Sequence, residues 1–352
     1  MTTAKDIALK LNISPSTVGR ALSDDPRISA ATRQRVMEAA VELGYVVNRA
    51  ARMMRGVPSN LVGLVVPDIR NSFYYTIAHA LSKCLEAEGY QLMLSETDDD
   101  RNAELRHLRE LASANVAGII IVASARPLPE SARLLAATPH IQLLRRHQAL
   151  GDQWFGIDDT AALEMATRHL VGLGHRNIAY IGGSPDLPTG MARLQGFRNA
   201  LKGVGGARAH EEVGTPSSTQ VGSDALARLL ALPDPPTAMV LGSVPTTHGV
   251  LQACNDRGIR VPQDLSVVGF GDEPGFRWWG PGLTTLSLPV SELATASGLW
   301  FLQQLKSRAV AMTPHSAVSP VQLLVRGSTG PAPVALAAAP SRARPRQHAP
   351  QA

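Results

Sequence analysis

Apolar positions follow two different rhythms along this chain. Between Thr3 and Gly44 they recur at helical spacing in three short stretches. Ile7, Ala8 and Leu11 share one face behind Thr3 and Asp6, a pair spaced as a capping box. Asn12 and Ile13 form a turn. Ser14 then supplies a cap, and Pro15 takes a first helical position where a missing N–H costs nothing. In this second helix Val18, Ala21 and Leu22 are expected to point inward, and Ser16, Thr17, Gly19 and Arg20 to point out. A third helix runs from a Ser29 cap through Val36, Ala39, Ala40 and Leu43 to Gly44, a residue suited to a left-handed helix end. Two short helices about a tight turn, braced by a third, predict a helix-turn-helix whose second helix fits a DNA major groove. Ser16 and Thr17 are small donors that permit close approach. Arg20 reaches a phosphate or pairs bidentately with guanine, which gives about 1 to 3 kcal/mol of discrimination. The same spacing also fits an ordinary helical hairpin.

After Tyr45 the stretch VVNRAARMMRGVPSN predicts a short helix capped by Asn48, carrying Arg52 and Met54 and ended by Gly56 and Pro58. So short a helix is marginal by itself in water and should fold only when docked. From Leu61 the second rhythm begins. LVGLVVP reads as a strand buried on both faces. Helical spacing over Ile77, Leu81 and Leu85 follows, then YQLMLSE, a helix around Leu105 to Leu111, VAGIIIVAS and IQLL. A second set starts at Asp158 and includes the strands NIAYIGG, TAMVLGS, LSVVGF, LTTLSLP and VQLLVR with helices between them. Alternating strands and helices imply parallel sheets covered on both faces, and two sets imply two lobes with a ligand cleft between them. Past Pro331 the Pro- and Ala-rich tail has no period and reads as disordered.

Charge placement sharpens this picture more than the total of +5 does. The first 56 residues hold nine Lys and Arg against five Asp and Glu, so the basic end is the nucleic-acid end. An aromatic content of only 4% argues against a stacking platform for single strands. Cys84 and Cys254 are far apart within apolar patterns, which excludes a disulfide framework, and the ten histidines lack the spacing of a zinc site. Neither a dinucleotide-binding glycine fingerprint nor a phosphate-cradling loop occurs, so no enzyme activity, cofactor or metal is expected. With no signal-peptide core and no long apolar run, the expected location is the cytoplasm, without membrane contact.

The string KDIALKLNISPSTVGRALSDDPRISAATRQRVMEAAVELGYVVN resembles the DNA-binding headpiece of the lactose-repressor (LacI/GalR) family of bacterial transcription regulators. The resemblance continues through GLVVPDIRNSFY, GIDDTAA, HLVGLGHRNIAYIGG, ARLQGFRNAL and RVPQDLSVVGFGD. It implies a helix-turn-helix headpiece (1–47), a hinge helix or linker (48–58), and a two-lobed α/β core (59–330) of the type I periplasmic-binding-protein fold. The tail (331–352) lies outside it. By that resemblance Pro15 and Ser16 read bases, Arg20 contacts a base or a phosphate, Thr17 faces the backbone, and Met54 stands where the family wedges a leucine into the minor groove. Asn48 and Arg52 belong to the same hinge contact. Methionine is among the wedges that open a base step.

In the core the resemblance makes Arg193 the effector-binding arginine. Asn71, Phe73 and Tyr74 are expected beside it. Asp158 is placed at the interlobe crossing, where it serves equally well as a helix cap. Several positions depart from the family. Ser243-Val244 replaces Asn-Asp, Gly271 replaces the first aspartate of a GFDD motif and leaves Asp272, and Leu144 replaces an aspartate next to Arg145. Gly19 stands where a serine is usual. Three lost polar positions argue against a heavily hydrogen-bonded hexose. The expected protein is therefore a repressor acting as a homodimer on a pseudo-palindromic double-stranded operator. Its effector is expected to be a sugar or sugar-derived acid, less hydroxylated than a typical hexose. The alternative is a cytoplasmic small-molecule sensor without specific DNA binding.

Overall fold

A computed structural model describes residues 2–22, 25–45, 59–214, 218–307 and 314–333. Asn48, Arg52 and Met54, together with most of the tail, lie outside the described residues. The chain divides near residue 61 into two compact units.

The first unit is three helices: α1 (Ala4–Leu11), α2 (Pro15–Ala21) and α3 (Ala30–Glu42). Their ends are set by the sequence. Thr3 and Asp6 form the reciprocal capping box, the Ser14 hydroxyl accepts from the Thr17 amide, and the Ser29 hydroxyl accepts from the Thr32 amide. Asn12 and Gly44 take the left-handed conformation that ends α1 and the turn after α3. Ile7, Ala8, Val18, Ala21, Val36, Ala39 and Ala40 form the buried core.

The second unit has two six-stranded sheets. The first lobe contains β1 (Leu61–Val66), α4 (Ser72–Glu86), β2 (Gln91–Glu96), α5 (Arg101–Ser113), β3 (Gly118–Ile121), α6 (Pro129–Ala136), β4 (His140–Leu143) and β5 (Trp154–Ile157). The second contains α7 (Asp159–Gly172), β6 (Asn177–Gly183), α8 (Pro188–Leu201), β7 (Arg208–Gly214), α9 (Thr219–Leu230), β8 (Ala238–Leu241), α10 (Val244–Asp256), β9 (Ser266–Phe270), the short α11 (Pro274–Trp278) and β10 (Thr284–Ser287). The chain then returns through α12 (Val290–Ser307) and β11 (Ser316–Ser319) and ends on β12 (Gln322–Leu324).

Strand order is β11-β5-β4-β3-β1-β2 in one sheet and β12-β10-β9-β8-β6-β7 in the other. β11 pairs parallel with β5, and β12 closes the second sheet antiparallel to β10. The chain therefore crosses between lobes three times: after β5, after β10, and between β11 and β12. β3, β4, β8 and β9 are buried along their whole length, as expected for strands covered by helices on both faces, although β4 carries the polar His140 and Gln142.

Candidate functional site

In the headpiece, α2 presents Pro15, Ser16 and Arg20 to solvent, with Thr17 half-buried. The Ser14 hydroxyl lies 2.7 Å from that of Ser16 and 2.8 Å from that of Thr17. This links the exposed hydroxyls into one polar edge at the helix start. Gly19, expected to point out, is buried. A glycine exposes only backbone, which the neighbouring turns readily cover, so this position adds nothing to the outer face.

In the core, the carboxyl ends of the strands meet the amino ends of three helices. Asn71 caps α4 and accepts from the Phe73 amide at 3.1 Å, Ser243 caps α10 and accepts from the Thr246 amide, and α8 begins at Pro188. Among these ends lies an interlobe cavity of about 70 Å³. Asn71, Phe73, Tyr74, Leu144 and Arg145 line it from one lobe, and Arg193, Ser243 and Val244 line it from the other. Helix amino ends carry partial positive charge, so the cavity favours electron-rich groups.

Two guanidiniums, one buried and one largely buried, reinforce that preference. Arg145 follows β4 and is 5% exposed. It forms a bidentate pair with Asp99 and donates Nη1 to the Ala123 carbonyl at 2.8 Å. Arg193, one turn into α8, donates Nε to Asp159 at 2.6 Å and Nη1 to the Gly242 carbonyl at 2.8 Å. Its guanidinium also stands 4.1 Å over the Phe270 ring. The close approach of α7 and α8 brings this pair together. A Cβ at Gly196 would lie 2.2 Å from the Thr160 carbonyl oxygen, so glycine there lets the helices touch. Burial pushes the Asp159 carboxyl up, and Arg193 opposes that shift. Burial likewise pushes the Tyr74 phenol up.

A second polar group stands behind Arg145. Glu104 on α5 is fully buried and accepts from the Ser124 amide at 2.7 Å, next to the Ala123 carbonyl that holds Arg145. The Ser124 and Ser131 hydroxyls also approach this carboxyl and favour its charged form. Burial pushes the Glu104 carboxyl up.

Two residues expected at the effector site are placed elsewhere. Asp158 is exposed and caps α7 through the Ala161 amide at 2.9 Å, and its neighbour Asp159 is the carboxylate that turns inward to Arg193. The one-residue difference follows from helix entry. A cap points back along the axis, whereas the first helical residue faces the packed neighbour. Asp272 is held by Arg326 at 2.7 Å, with Arg277 at 3.6 Å, and does not line the cavity. Of the aromatic residues that follow it, Phe276 is buried in the second lobe's core and Trp278 is 78% exposed. Ser243 borders the cavity but uses its hydroxyl on its own helix, 2.7 Å from the Thr246 hydroxyl. The sequence reading missed Asp99 and Asp159. Their only sequence signal is the DD pairs in TDDD and GIDD, which do not reveal which carboxylate turns in.

A helix-turn-helix unit joined to a two-lobed core with a charged interlobe cavity defines a ligand-responsive DNA-binding protein. Comparison with known proteins makes the class particular. Residues 3–48 match the model of bacterial regulatory proteins, lacI family, and residues 167–329 match a periplasmic binding protein-like domain. The transcriptional regulator DegA of Bacillus subtilis is 30% identical over 94% of this chain and 98% of its own. The transcriptional repressor CytR of Escherichia coli is 29% identical over 93% and 96%. Among solved structures, the lac repressor dimer bound to operator and the anti-inducer ONPF is 26% identical with a TM-score of 0.79, covering 94% of this chain and 99% of that one. A CelR–cellobiose complex is 27% identical with a TM-score of 0.67. The chain belongs to the lacI family of bacterial regulatory proteins, and it is a DNA-binding transcriptional regulator with a small-molecule effector core. Its relatives are transcriptional regulators. Among the described residues no helix is long and apolar enough to cross a membrane.

Proposed function

We propose that this chain is a cytoplasmic repressor, without catalytic activity, that binds a pseudo-palindromic operator as a homodimer and releases or tightens it when an effector occupies the interlobe cavity. Domain limits follow the sequence reading: headpiece 1–47, hinge 48–58, effector and dimerisation core 59–330, and tail 331–352. Pro15, Ser16, Thr17 and Arg20 contact the major groove, and Asn48, Arg52 and Met54 serve the hinge contact in the minor groove. Two-fold protein symmetry matches two-fold operator symmetry. Coupling between effector and operator is expected at about 1 to 3 kcal/mol.

The observation that carries the effector assignment is the pair of guanidiniums, Arg145 buried and Arg193 largely buried, lining one cavity among three helix amino ends. Each is already bonded to a carboxylate, yet each has N–H groups beyond those bonds. Planar forks of this kind suit hydroxyls or a carboxylate. The effector is therefore a sugar or sugar-derived acid, contacted by Asn71, Phe73, Tyr74, Arg145, Arg193 and the Ser243 end of α10. Asp158 and Asp272 take no part in that contact.

A footprint of the purified protein on DNA upstream of its own and neighbouring genes, with and without sugars and sugar acids, tests the proposal. A symmetric protected site that changes with one compound is the expected result. Absence of protection at low salt with every compound would instead favour a ligand sensor that does not read DNA.

A further inference from the structure

The amino end of α5 holds Arg145 twice, once directly and once through a peptide bond. The direct contact is Asp99, at the turn into the helix, whose carboxylate forms the bidentate pair. The indirect one starts at Glu104, on the first turn of α5, whose carboxylate accepts from the Ser124 amide at 2.7 Å. That amide belongs to the same peptide unit as the Ala123 carbonyl, which accepts from Arg145 Nη1 at 2.8 Å. In a trans peptide the N–H and the C=O point in opposite directions. One peptide plane therefore carries a carboxylate at its donor end and a guanidinium at its acceptor end.

The sheet does not set the orientation of this plane. The Val122 amide still donates to the Val65 carbonyl of β1, but two residues on the amide turns to Glu104 instead of to a strand. Ala123, Ser124 and Glu104 are at most 1% exposed, so these backbone groups depend on partners within the protein. Turned over, the peptide would aim its carbonyl at the carboxylate and its N–H at the guanidinium, and both contacts are repulsive in a low-dielectric interior. Glu104 is itself fixed. The Ser124 and Ser131 hydroxyls approach its carboxyl, and its amide donates at 2.9 Å to the carbonyl of Asp100, the residue that caps α5.

We infer that Glu104 is a positioning residue of the effector site: it orients the Ala123–Ser124 peptide, and that peptide holds the Arg145 guanidinium that lines the cavity. The inference rests on the interlobe cavity being the effector site. Glu104 does not line that cavity and acts only through the peptide.

Three variants of the full chain separate this role from packing and from charge. Glu104→Gln removes the charge and keeps an acceptor for the Ser124 amide. Glu104→Met removes the charge and the acceptor while keeping much of the volume. Glu104→Ala repeats the loss of the acceptor without the bulk, in case methionine packs badly. The first measurement is arginine side-chain NMR of the ligand-free protein, with the Arg145 signal assigned by its loss in Arg145→Lys. Wild type and Glu104→Gln should each give one sharp Arg145 signal. Glu104→Met and Glu104→Ala should shift and broaden it while the Arg193 signal, from the other lobe, stays in place as a check on folding. An Arg145 signal unmoved in both overturns the inference. The second measurement is calorimetry with glucuronate as the anionic probe. Its dissociation constant should be about tenfold higher in Glu104→Met and Glu104→Ala than in Glu104→Gln, the effect of one misplaced charged donor. Equal affinity in the Gln and Met variants overturns the inference, because these two differ in the acceptor and share the loss of charge. Absence of glucuronate binding to the wild type counts against the effector reading of the cavity, and the Arg145 signal then decides the positioning role by itself.

Discussion

Removing the Arg193 side chain exposes the energetics of the cavity most directly. Arg193→Ala deletes the Nε bond to Asp159 at 2.6 Å and the Nη1 bond to the Gly242 carbonyl, and it leaves Asp159, 6% exposed, without its cation. Breaking one partner of a buried ion pair costs about 3 to 5 kcal/mol, because the remaining charge stays desolvated. Asp159 escapes part of that cost by keeping its proton. Its carboxyl already lies above the ordinary 3.8 through burial, with Arg193 pulling the other way, so losing Arg193 raises it further. The folded state then holds a proton that the unfolded chain releases above about pH 4, and stability falls as pH rises through the folded value. Denaturant unfolding of the core at pH 5 and pH 8 is the assay. Arg193→Ala should lose more stability at pH 8 than at pH 5, and adding Asp159→Asn should recover much of the loss and flatten the pH dependence. Equal losses at the two pH values, or fully additive single and double variants, would refute the pairing argument. The Asp159→Asn, Arg193→Gln double variant should stay folded and bind operator while losing its effector response.

Glu104→Gln should stabilise the core at pH 8 by about 1 to 3 kcal/mol, since the amide removes a buried charge and keeps the acceptor for the Ser124 amide. The gain should vanish towards pH 4, where Glu104, raised above its ordinary 4.5 by burial, is protonated in both states; a variant less stable than wild type at pH 8 counts against this reading. Arg20→Ala should weaken operator binding by about 1 to 3 kcal/mol and leave weaker, salt-sensitive binding. Unchanged operator selectivity in a competition assay would remove Arg20 from the base-reading set. The edge strand β2 exposes Met93 (36%) and Leu94 (42%), so Leu94→Glu should shift the dimer towards monomer in analytical ultracentrifugation, and an unaltered dimer would place the interface on another face.

Much of this was legible in the sequence because the deciding physics is local. Caps at Thr3, Ser14 and Ser29 are short side chains bonding their own helices, and the fully buried strands read as unbroken apolar runs. Edges were harder. β7 (RAHEEVG) and β11 (SAVS) alternate exposed and half-buried positions with little apolar content, so they carry no hydrophobic run to detect. Their strand character comes from a neighbour's open hydrogen-bonding edge. The cavity was half legible. Arg145 and Arg193 could be named from a pattern, but their partners Asp99 and Asp159 depend on which carboxylate of a run of three and of a pair turns inward. For Asp159 that is decided by helix entry and by the contact at Gly196, and for Asp99 by the left-handed turn that holds Asp98 and Asp99. Asp272 carried a polar motif yet was drawn to Arg326, more than fifty residues away in sequence.

The small headpiece core has a thermal consequence. Four of its seven buried residues are alanine, and a unit of this size buries too little apolar surface for much stability of its own. The effector core, with two covered sheets, has no such shortage. On warming, operator recognition should therefore fail before effector binding does, giving two separate calorimetric transitions. Operator DNA, binding only the folded headpiece, should raise the lower transition with the logarithm of its concentration. A regulator built this way loses its grip on DNA with heat while its ligand site remains intact, so temperature acts on the same operator independently of the effector.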